Sequence, residues 1–153
     1  MSEIELQEGV TRLVLAVFRA HQALVGEGDR RVARLGLNSA RWKVLGAVEL
    51  AGEPLTAPEI GRRMGLTRQG AQKQLDALAA EGMVQRRDNP AHLRAPLYAL
   101  TPLGRRGYAR ATAIWTEWAA VLGEGVPARN WQGAAEAVER LVERVETAKG
   151  GQP

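Results

Sequence analysis

The amino-acid sequence predicts a mainly α-helical protein that carries one small β-structure of two or three strands. Three observations lead to this prediction. Apolar residues recur at helical spacing through most of the chain, between start and stop signals. Residues 83–100 change instead to two short β-type runs around a turn-rich tip. Between Thr56 and Gly82, two short helical patterns are joined by only three residues.

Length and composition narrow the class of protein. The chain has 153 residues, 45% of them apolar and 25% charged, which is ordinary for one soluble globular domain. It has no cysteine, so disulfides, thiol redox switches and cysteine metal sites are excluded. The sequence shows neither a secretory signal nor an apolar run of the ~20 residues that span a bilayer, and we expect a cytoplasmic protein without membrane association.

The two helical patterns at 56–82 have clear boundaries. Thr56 and Glu59 have the spacing of a capping box, and Gly65 ends the first helix. Thr67 is the predicted cap of the second helix. The inward face of that helix is predicted to hold Ala71, Leu75, Leu78 and Ala79. Its outward positions are Arg68, Gln69, Gln72, Lys73 and Asp76. This spacing is typical of a helix-turn-helix whose second helix exposes long hydrogen-bonding side chains.

An amphipathic helix is predicted over residues 4–25. Its apolar stripe includes Leu6, Val10, Leu13, Val14, Val17, Phe18, His21, Leu24 and Val25. We expect the stripe either to cross a core or to pack on another subunit, with His21 as a buried core histidine. Gly26 to Gly28 are predicted to break the helix, and residues 29–31 to form a solvated connection.

Three further helices are predicted outside the helix-turn-helix. One begins at Asn38 or Ser39 and ends at Gly52, with Trp42 either packed in the core or lining a ligand cavity. Another begins at Thr101-Pro102 and has an apolar stripe of Tyr108, Ala111, Trp115, Trp118 and Leu122. The last carries Trp131, Val138 and Val145.

The two short runs at 83–88 and 96–100 are predicted strands on either side of the tip at 89–95. A hairpin directly after a recognition-type helix is typical of a wing, the name used below for residues 83–100. Arg94 at its tip suits the negative potential of a narrow minor groove, although a solvated charge explains it equally well. Arg86 either contacts a phosphate or lies solvated on its strand.

Positive charge is concentrated around these elements. Residues 54–110 hold ten Lys/Arg against four Asp/Glu, whereas residues 1–53 hold seven of each and residues 111–153 hold four against six. A polyanion is therefore expected to bind the middle of the chain rather than its ends.

The order of elements resembles the MarR family of bacterial winged-helix transcription regulators. The matching segments are LGLNSARWKVL at 35–45, EIGRRMGLTRQGAQKQLDALAAEGMVQRRD at 59–88 and RAPLYALTPLG at 94–104. The resemblance implies one MarR-like domain, with a DNA-binding part at about 35–101 and dimerisation helices at about 1–34 and 102–148. The usual aspartate–arginine brace of the wing tip is absent, since residues 92–94 are His-Leu-Arg.

The resemblance also implies a function. A homodimer would bind pseudo-palindromic double-stranded DNA, as a repressor. DNA contacts are implied for Thr67, Arg68, Gln69, Gln72, Lys73, Arg86 and Arg94. In this family an effector, often an aromatic acid or phenolic compound, commonly lies between the dimer region and the winged helix. By position, His21, Trp42, Trp115 and Trp118 would border such a cavity, while core packing or a dimer seam explains the same residues.

Two other classes of function are less consistent with this sequence. An enzyme is disfavoured because the two histidines, three aspartates and two serines are scattered, with no nucleophile–base pair, metal cluster or cofactor motif. The remaining alternative is a winged-helix module that binds protein and not DNA, but such a module has no need of an exposed Arg-Gln-Gln-Lys set.

Overall fold

The computed structural model describes residues 2–150 of the chain, and it contains six α-helices and three strands in that range. The helices are α1 Glu3–Val32, α2 Ser39–Ala51, α3 Ala57–Met64, α4 Arg68–Ala80, α5 Pro102–Gly123 and α6 Ala128–Gly150. The strands are β1 Leu55–Thr56, β2 Val84–Arg87 and β3 Leu97–Leu100, and a 3-10 turn at Ala33–Leu35 follows α1. The predicted fold class, mainly α with a small β-wing, is confirmed.

The predicted break in α1 at residues 26–28 is wrong. The helix continues to Val32, and Glu27 pairs with Arg31 one turn later at 2.7 Å. The Asp29 carboxylate accepts a hydrogen bond from Ser39 N–H at 2.6 Å, so residue 29 belongs to a helix–helix contact and not to a solvated connection. Gly28 is buried, and a Cβ there would lie 2.9 Å from Ser39 Oγ. The absence of a side chain at Gly28 thus permits a close approach of α1 and α2.

The three strands form one antiparallel sheet in the order β1-β3-β2. β3 is central: Tyr98 lies opposite Leu55 of β1 on one side and Arg86 of β2 on the other. β1 has no signal of its own in the sequence, since two residues are too few to show the alternation of a strand.

The first of two compact units, residues 1–114, contains a continuous apolar core. Fully buried side chains include Val44, Leu45, Ile60, Leu75 and Leu78. Trp42 is partly buried against this core, as predicted. Ala79 was predicted to face inward but is exposed, because the buried face of α4 is confined to Ala71, Leu75 and Leu78.

Much of the apolar stripe of α1 is exposed within the single chain. Leu6, Val10 and Leu24 are each more than two-fifths exposed, and Phe18 is 66% exposed. His21 is also exposed, so the prediction of a core histidine is wrong: the part of α1 buried in the unit lies near Gly28 and Val32, about two and three turns further on.

The second unit, described over residues 115–150, begins within α5. Trp118 is 8% exposed and meets Trp115 edge to face, with ring centroids 5.6 Å apart. Leu122 and Trp131 are exposed, although both were placed on apolar stripes. Among the described residues, none of the helices is long and apolar enough to cross a membrane.

Candidate nucleic-acid interface

The entrance of the helix-turn-helix is held by the predicted pair of Thr56 and Glu59. The Thr56 N–H and the Thr56 hydroxyl each donate to the Glu59 carboxylate at 2.7 Å. The backbone hydrogen bond from Thr56 is the largest cause that lowers the pKa of Glu59 below its ordinary value, followed by the hydroxyl hydrogen bond. Arg62 and Arg63 lower it further by their charge. The ionised carboxylate therefore stabilises the start of α3.

This pair predicts a pH dependence of stability. Because the pKa of Glu59 is lower in the folded protein, its contribution is present above the unfolded pKa of about 4.3 and is lost as pH falls through the folded pKa. Glu59→Gln keeps an acceptor for Thr56 N–H but does not titrate. Unfolding in urea from pH 7 to 3 should show a steeper loss of stability below pH ~4.3 in the natural protein than in Glu59→Gln. If the difference in free energy of unfolding between the natural protein and Glu59→Gln stays constant across this pH range, Glu59 is not the group responsible for the pH dependence.

The turn between α3 and α4 depends on two glycines. Gly65 ends α3 with a positive φ of 64°, in the region that favours glycine. A Cβ on Gly61 would lie 2.8 Å from the carbonyl oxygen of Leu66, and that backbone also donates its N–H to the Gly61 carbonyl at 2.9 Å. The two helices can therefore approach closely enough to form a tight turn.

The first turn of α4 projects from the surface. The Thr67 hydroxyl accepts a hydrogen bond from Gly70 N–H at 2.9 Å, so Thr67 is the N-cap that the sequence predicts. Arg68, Gln69 and Lys73 are exposed, while Ala71 is fully buried beneath them. The first two turns of α4 thus present two cations and one amide to solvent.

Gln72 differs from the other four predicted outward positions, which are all exposed. It is half-buried, and its amide nitrogen donates to the carboxylate of Asp76 and to the hydroxyl of Tyr98. The sequence predicted an outward side chain here and did not indicate either bond. Tyr98 lies 26 residues away on the central strand, so only the fold brings it near.

The far end of α4 is fixed by a residue outside the helix-turn-helix. The guanidinium of Arg41, near the start of α2, donates to the Glu81 carboxylate and to the Gly36 carbonyl, both at 2.8 Å. Glu81 is the C-cap of α4. The orientation of the exposed helix is therefore tied to α2 by charge as well as by the apolar core.

The wing tip is organised by Asn89, a residue that sequence reasoning did not single out. Its side chain donates to the Ala95 carbonyl at 2.8 Å and accepts from Ala91 N–H at 3.2 Å. Its own carbonyl accepts from His92 N–H at 3.1 Å. Asn89 is buried, so these bonds close the loop from inside and place Arg94 on its exposed side. An Asn-Pro pair at a strand end is a turn signal, but the partner across the loop is not readable from it.

The cations of this region all face solvent. Each of the ten cations among residues 54–110 is exposed, including Arg86 on β2 and Arg94 on the tip. The positive potential of the segment is therefore available to a polyanion. Within the described residues, no group of three or more His, Cys, Asp or Glu side chains is placed to hold a metal ion.

A helix-turn-helix followed by a two-stranded wing, which joins β1 in one three-stranded sheet, together with a basic exposed helix, defines a winged-helix protein. The family model for the MarR family matches residues 35–95. An uncharacterised protein of Mycobacterium tuberculosis is 39% identical over 101 residues, which are 66% of this chain and 69% of that protein. The chain belongs to the MarR family, whose members are transcription regulators and not enzymes.

Solved structures show the same fold. A MarR family transcription regulator named SP03579 matches with a TM-score of 0.79 at 21% identity, over 97% of this chain and 98% of its own. The M. tuberculosis regulator MosR, solved in complex with DNA, matches with a TM-score of 0.74 at 22% identity, over 88% of this chain and 96% of its own. CouR from Rhodococcus jostii RHA1, solved with p-coumaroyl-CoA, has a TM-score of 0.74 at 22% identity, over 82% and 88%.

Proposed function

We propose that this protein is a sequence-specific DNA-binding regulator that acts as a homodimer on pseudo-palindromic operator DNA, as a repressor. One observation carries the proposal: the first turns of α4 expose Arg68, Gln69 and Lys73 above a fully buried face. Arginine and lysine bind guanine and phosphate, and glutamine can bind adenine, so the exposed set suits a major groove.

The surroundings of α4 support the same proposal. Arg86 and Arg94 extend the positive surface along the wing, where they would contact phosphate and the minor groove respectively. Thr67, at the helix N-terminus, would lie beside a phosphate. That MosR, with the same fold, was solved in complex with DNA adds to this support.

A second copy of the chain is the proposed partner of the exposed apolar stripe of α1. Exposed apolar residues also occur in the second unit, at Trp131, Val142 and Val145. Exposed apolar surface of this kind marks interaction sites, since it costs free energy in water. Residues 1–34 and 102–148 are thus the proposed dimerisation helices, and residues 35–101 the DNA-binding part.

Selection of bound duplexes from a random pool tests the proposal directly. A homodimer with two recognition helices should select two inverted half-sites whose centres lie about 10–10.5 base pairs, or 34–36 Å, apart. A single asymmetric site would argue against the dimer. Failure to select any duplex would contradict DNA binding itself and favour a module that binds protein.

Substitution of the exposed α4 residues should separate reading of bases from binding of phosphate. Gln69→Ala and Lys73→Ala are each expected to weaken operator binding by about 1–3 kcal/mol and to relax base preference at one position of each half-site. Arg86→Ala is the matched contrast, since loss of a phosphate contact should weaken all duplexes alike. Titrations of the protein with the selected duplex and with its single-position variants measure both the affinity and the base preference. If Lys73→Ala weakens binding to all of these duplexes equally, Lys73 contacts a phosphate and not a base.

Control by a small aromatic or phenolic effector is the regulatory part of the proposal. Its support is that CouR, with the same fold, was solved with p-coumaroyl-CoA. His21, Trp42, Trp115 and Trp118 are the proposed contacts. Titration of phenolic acids and p-coumaroyl-CoA into the protein–DNA complex, followed by tryptophan fluorescence and DNA release, tests this. If none of these compounds releases the protein from DNA, the protein is a regulator without an effector of this class.

A further inference from the structure

We propose that Tyr98 and Asp76 set the base preference of the recognition helix by holding both amide hydrogens of Gln72. Only the Gln72 carbonyl is then left to read a base. This inference rests on the proposed function, because it concerns which bases the bound protein distinguishes.

The geometry of the Gln72 amide fixes which of its atoms is engaged. Its nitrogen, Nε2, lies 2.7 Å from Oδ1 of Asp76 and 3.0 Å from the hydroxyl oxygen of Tyr98. A glutamine amide carries two hydrogens on its nitrogen and no hydrogen on its oxygen. An ionised carboxylate only accepts, so the nitrogen must be the atom that faces Asp76. Both donors of the amide are consequently used inside the protein.

Tyr98 is a rigid partner for this bond. It lies on the central strand β3, paired on both sides, and is only 3% exposed. Gln72 itself is half-buried, so its amide is partly removed from competing water. Turning the amide toward DNA would leave a buried hydroxyl without this partner, which is costly. Asp76 lies one helical turn beyond Gln72 and is exposed, so its bond alone is weaker.

The retained bonds change what glutamine can read. A free glutamine pairs bidentately with adenine: it donates to N7 and accepts from the N6 amino group. Gln72 has no free donor and can only accept. In the major groove, amino hydrogens are presented by adenine at N6 and by cytosine at N4, whereas guanine and thymine present acceptors at their edges. The position read by Gln72 should therefore accept adenine or cytosine and reject guanine or thymine.

The experiment compares binding to four duplexes that differ at one position of each half-site. Gln72→Ala identifies that position as the one whose base preference it abolishes. The natural protein should bind the adenine and cytosine duplexes within about threefold of each other, because each offers one amino donor. Tyr98→Phe removes only the hydroxyl and releases one amide hydrogen, so the preference for adenine over cytosine should rise about tenfold.

Two further variants keep the result interpretable. Asp76→Ala releases the other amide hydrogen without altering the buried tyrosine, and should shift the adenine-to-cytosine ratio in the same direction. It also removes a negative charge, which raises affinity for every duplex, so the ratio and not the affinity is the measure. Tyr108→Phe is the matched control: Tyr108, the other tyrosine of the chain, lies half-buried in α5, and its hydroxyl should not affect the ratio.

The outcomes distinguish this inference from the proposed function. A natural protein that already selects adenine over cytosine by tenfold or more would overturn the inference while DNA binding stands. So would an unchanged ratio in both Tyr98→Phe and Asp76→Ala, or a Gln72→Ala variant that loses preference at no position. If no duplex binds, the proposed function itself fails, and a shifted ratio in both variants supports the inference.

Discussion

Replacing Gly104 by alanine is expected to lower the free energy of unfolding by about 3 kcal/mol, since it overpacks a site that backbone atoms enclose. A Cβ at this position would lie 2.0 Å from the carbonyl oxygen of Met83. That carbonyl cannot simply move aside, because it accepts from both the N–H and the hydroxyl of Thr101, the residue that precedes α5. The collision is thus between two backbones, where no side-chain rotation relieves it. Urea unfolding followed by circular dichroism measures the loss.

Gly107, one turn further along α5, provides the matched control. A Cβ there would meet only the flexible end of the Met83 side chain, at an ordinary 3.8 Å. Because alanine has the higher helix propensity, Gly107→Ala should leave stability unchanged or raise it by up to about 1 kcal/mol. If both substitutions change the free energy of unfolding equally, the close backbone approach at Gly104 is not the cause of the loss in Gly104→Ala.

These two glycines show where sequence reasoning ends. Both lie in the first turns of a helix whose start, Thr101-Pro102, is correctly predicted from local cap and proline signals. Nothing local separates Gly104 from Gly107. The difference arises because the backbone before β2 crosses α5 at one of them and not at the other, and that contact spans some twenty residues.

The predicted break in α1 at residues 26–28 is wrong for the same reason: contacts between distant residues decide the outcome. The segment Gly26-Glu27-Gly28 predicts the end of a helix, since glycine has a low helix propensity. What the sequence does not show is the bond from Ser39 N–H to Asp29 or the space that α2 requires beside Gly28. Tertiary contacts with α2 therefore outweigh the low helix propensity of glycine.

The candidate site was predictable to the extent that it depends on one helix. Caps and apolar spacing place Arg68, Gln69 and Lys73 outward, since these signals act within a few residues. Two sets of side-chain hydrogen bonds were not predictable: those of Asn89 across the wing loop, and the bond from Gln72 to Tyr98. Which side chains form hydrogen bonds between different helices, strands and loops depends on the fold. The residue types alone do not show which partner each polar side chain will have.

Binding of duplex DNA is expected to weaken by about 10³- to 10⁵-fold between ~50 and ~200 mM salt, as for proteins that make 6–10 phosphate contacts. The structure has enough exposed cations for that number of contacts. Each chain exposes five on α4 and the wing, and the proposed dimer would have ten: Arg68, Lys73, Arg86, Arg87 and Arg94 of each protomer. The physical reason is release of condensed counterions from the duplex. Filter binding or fluorescence anisotropy across a salt series gives the slope of log affinity against log salt.

Single substitutions then assign that slope to residues. Arg86→Ala removes one phosphate contact from each protomer, so the slope should fall by about 1.8 in magnitude for the dimer. Arg94→Ala should do the same only if the loop closed by Asn89 brings the wing tip to the duplex. Arg140→Ala, an exposed arginine on α6, should leave the slope unchanged. A flat slope in the natural protein would exclude phosphate-driven binding and leave the protein-binding module as the remaining function. A steep slope that Arg86→Ala does not alter would keep DNA binding and confine the phosphate contacts to α4 and the wing tip.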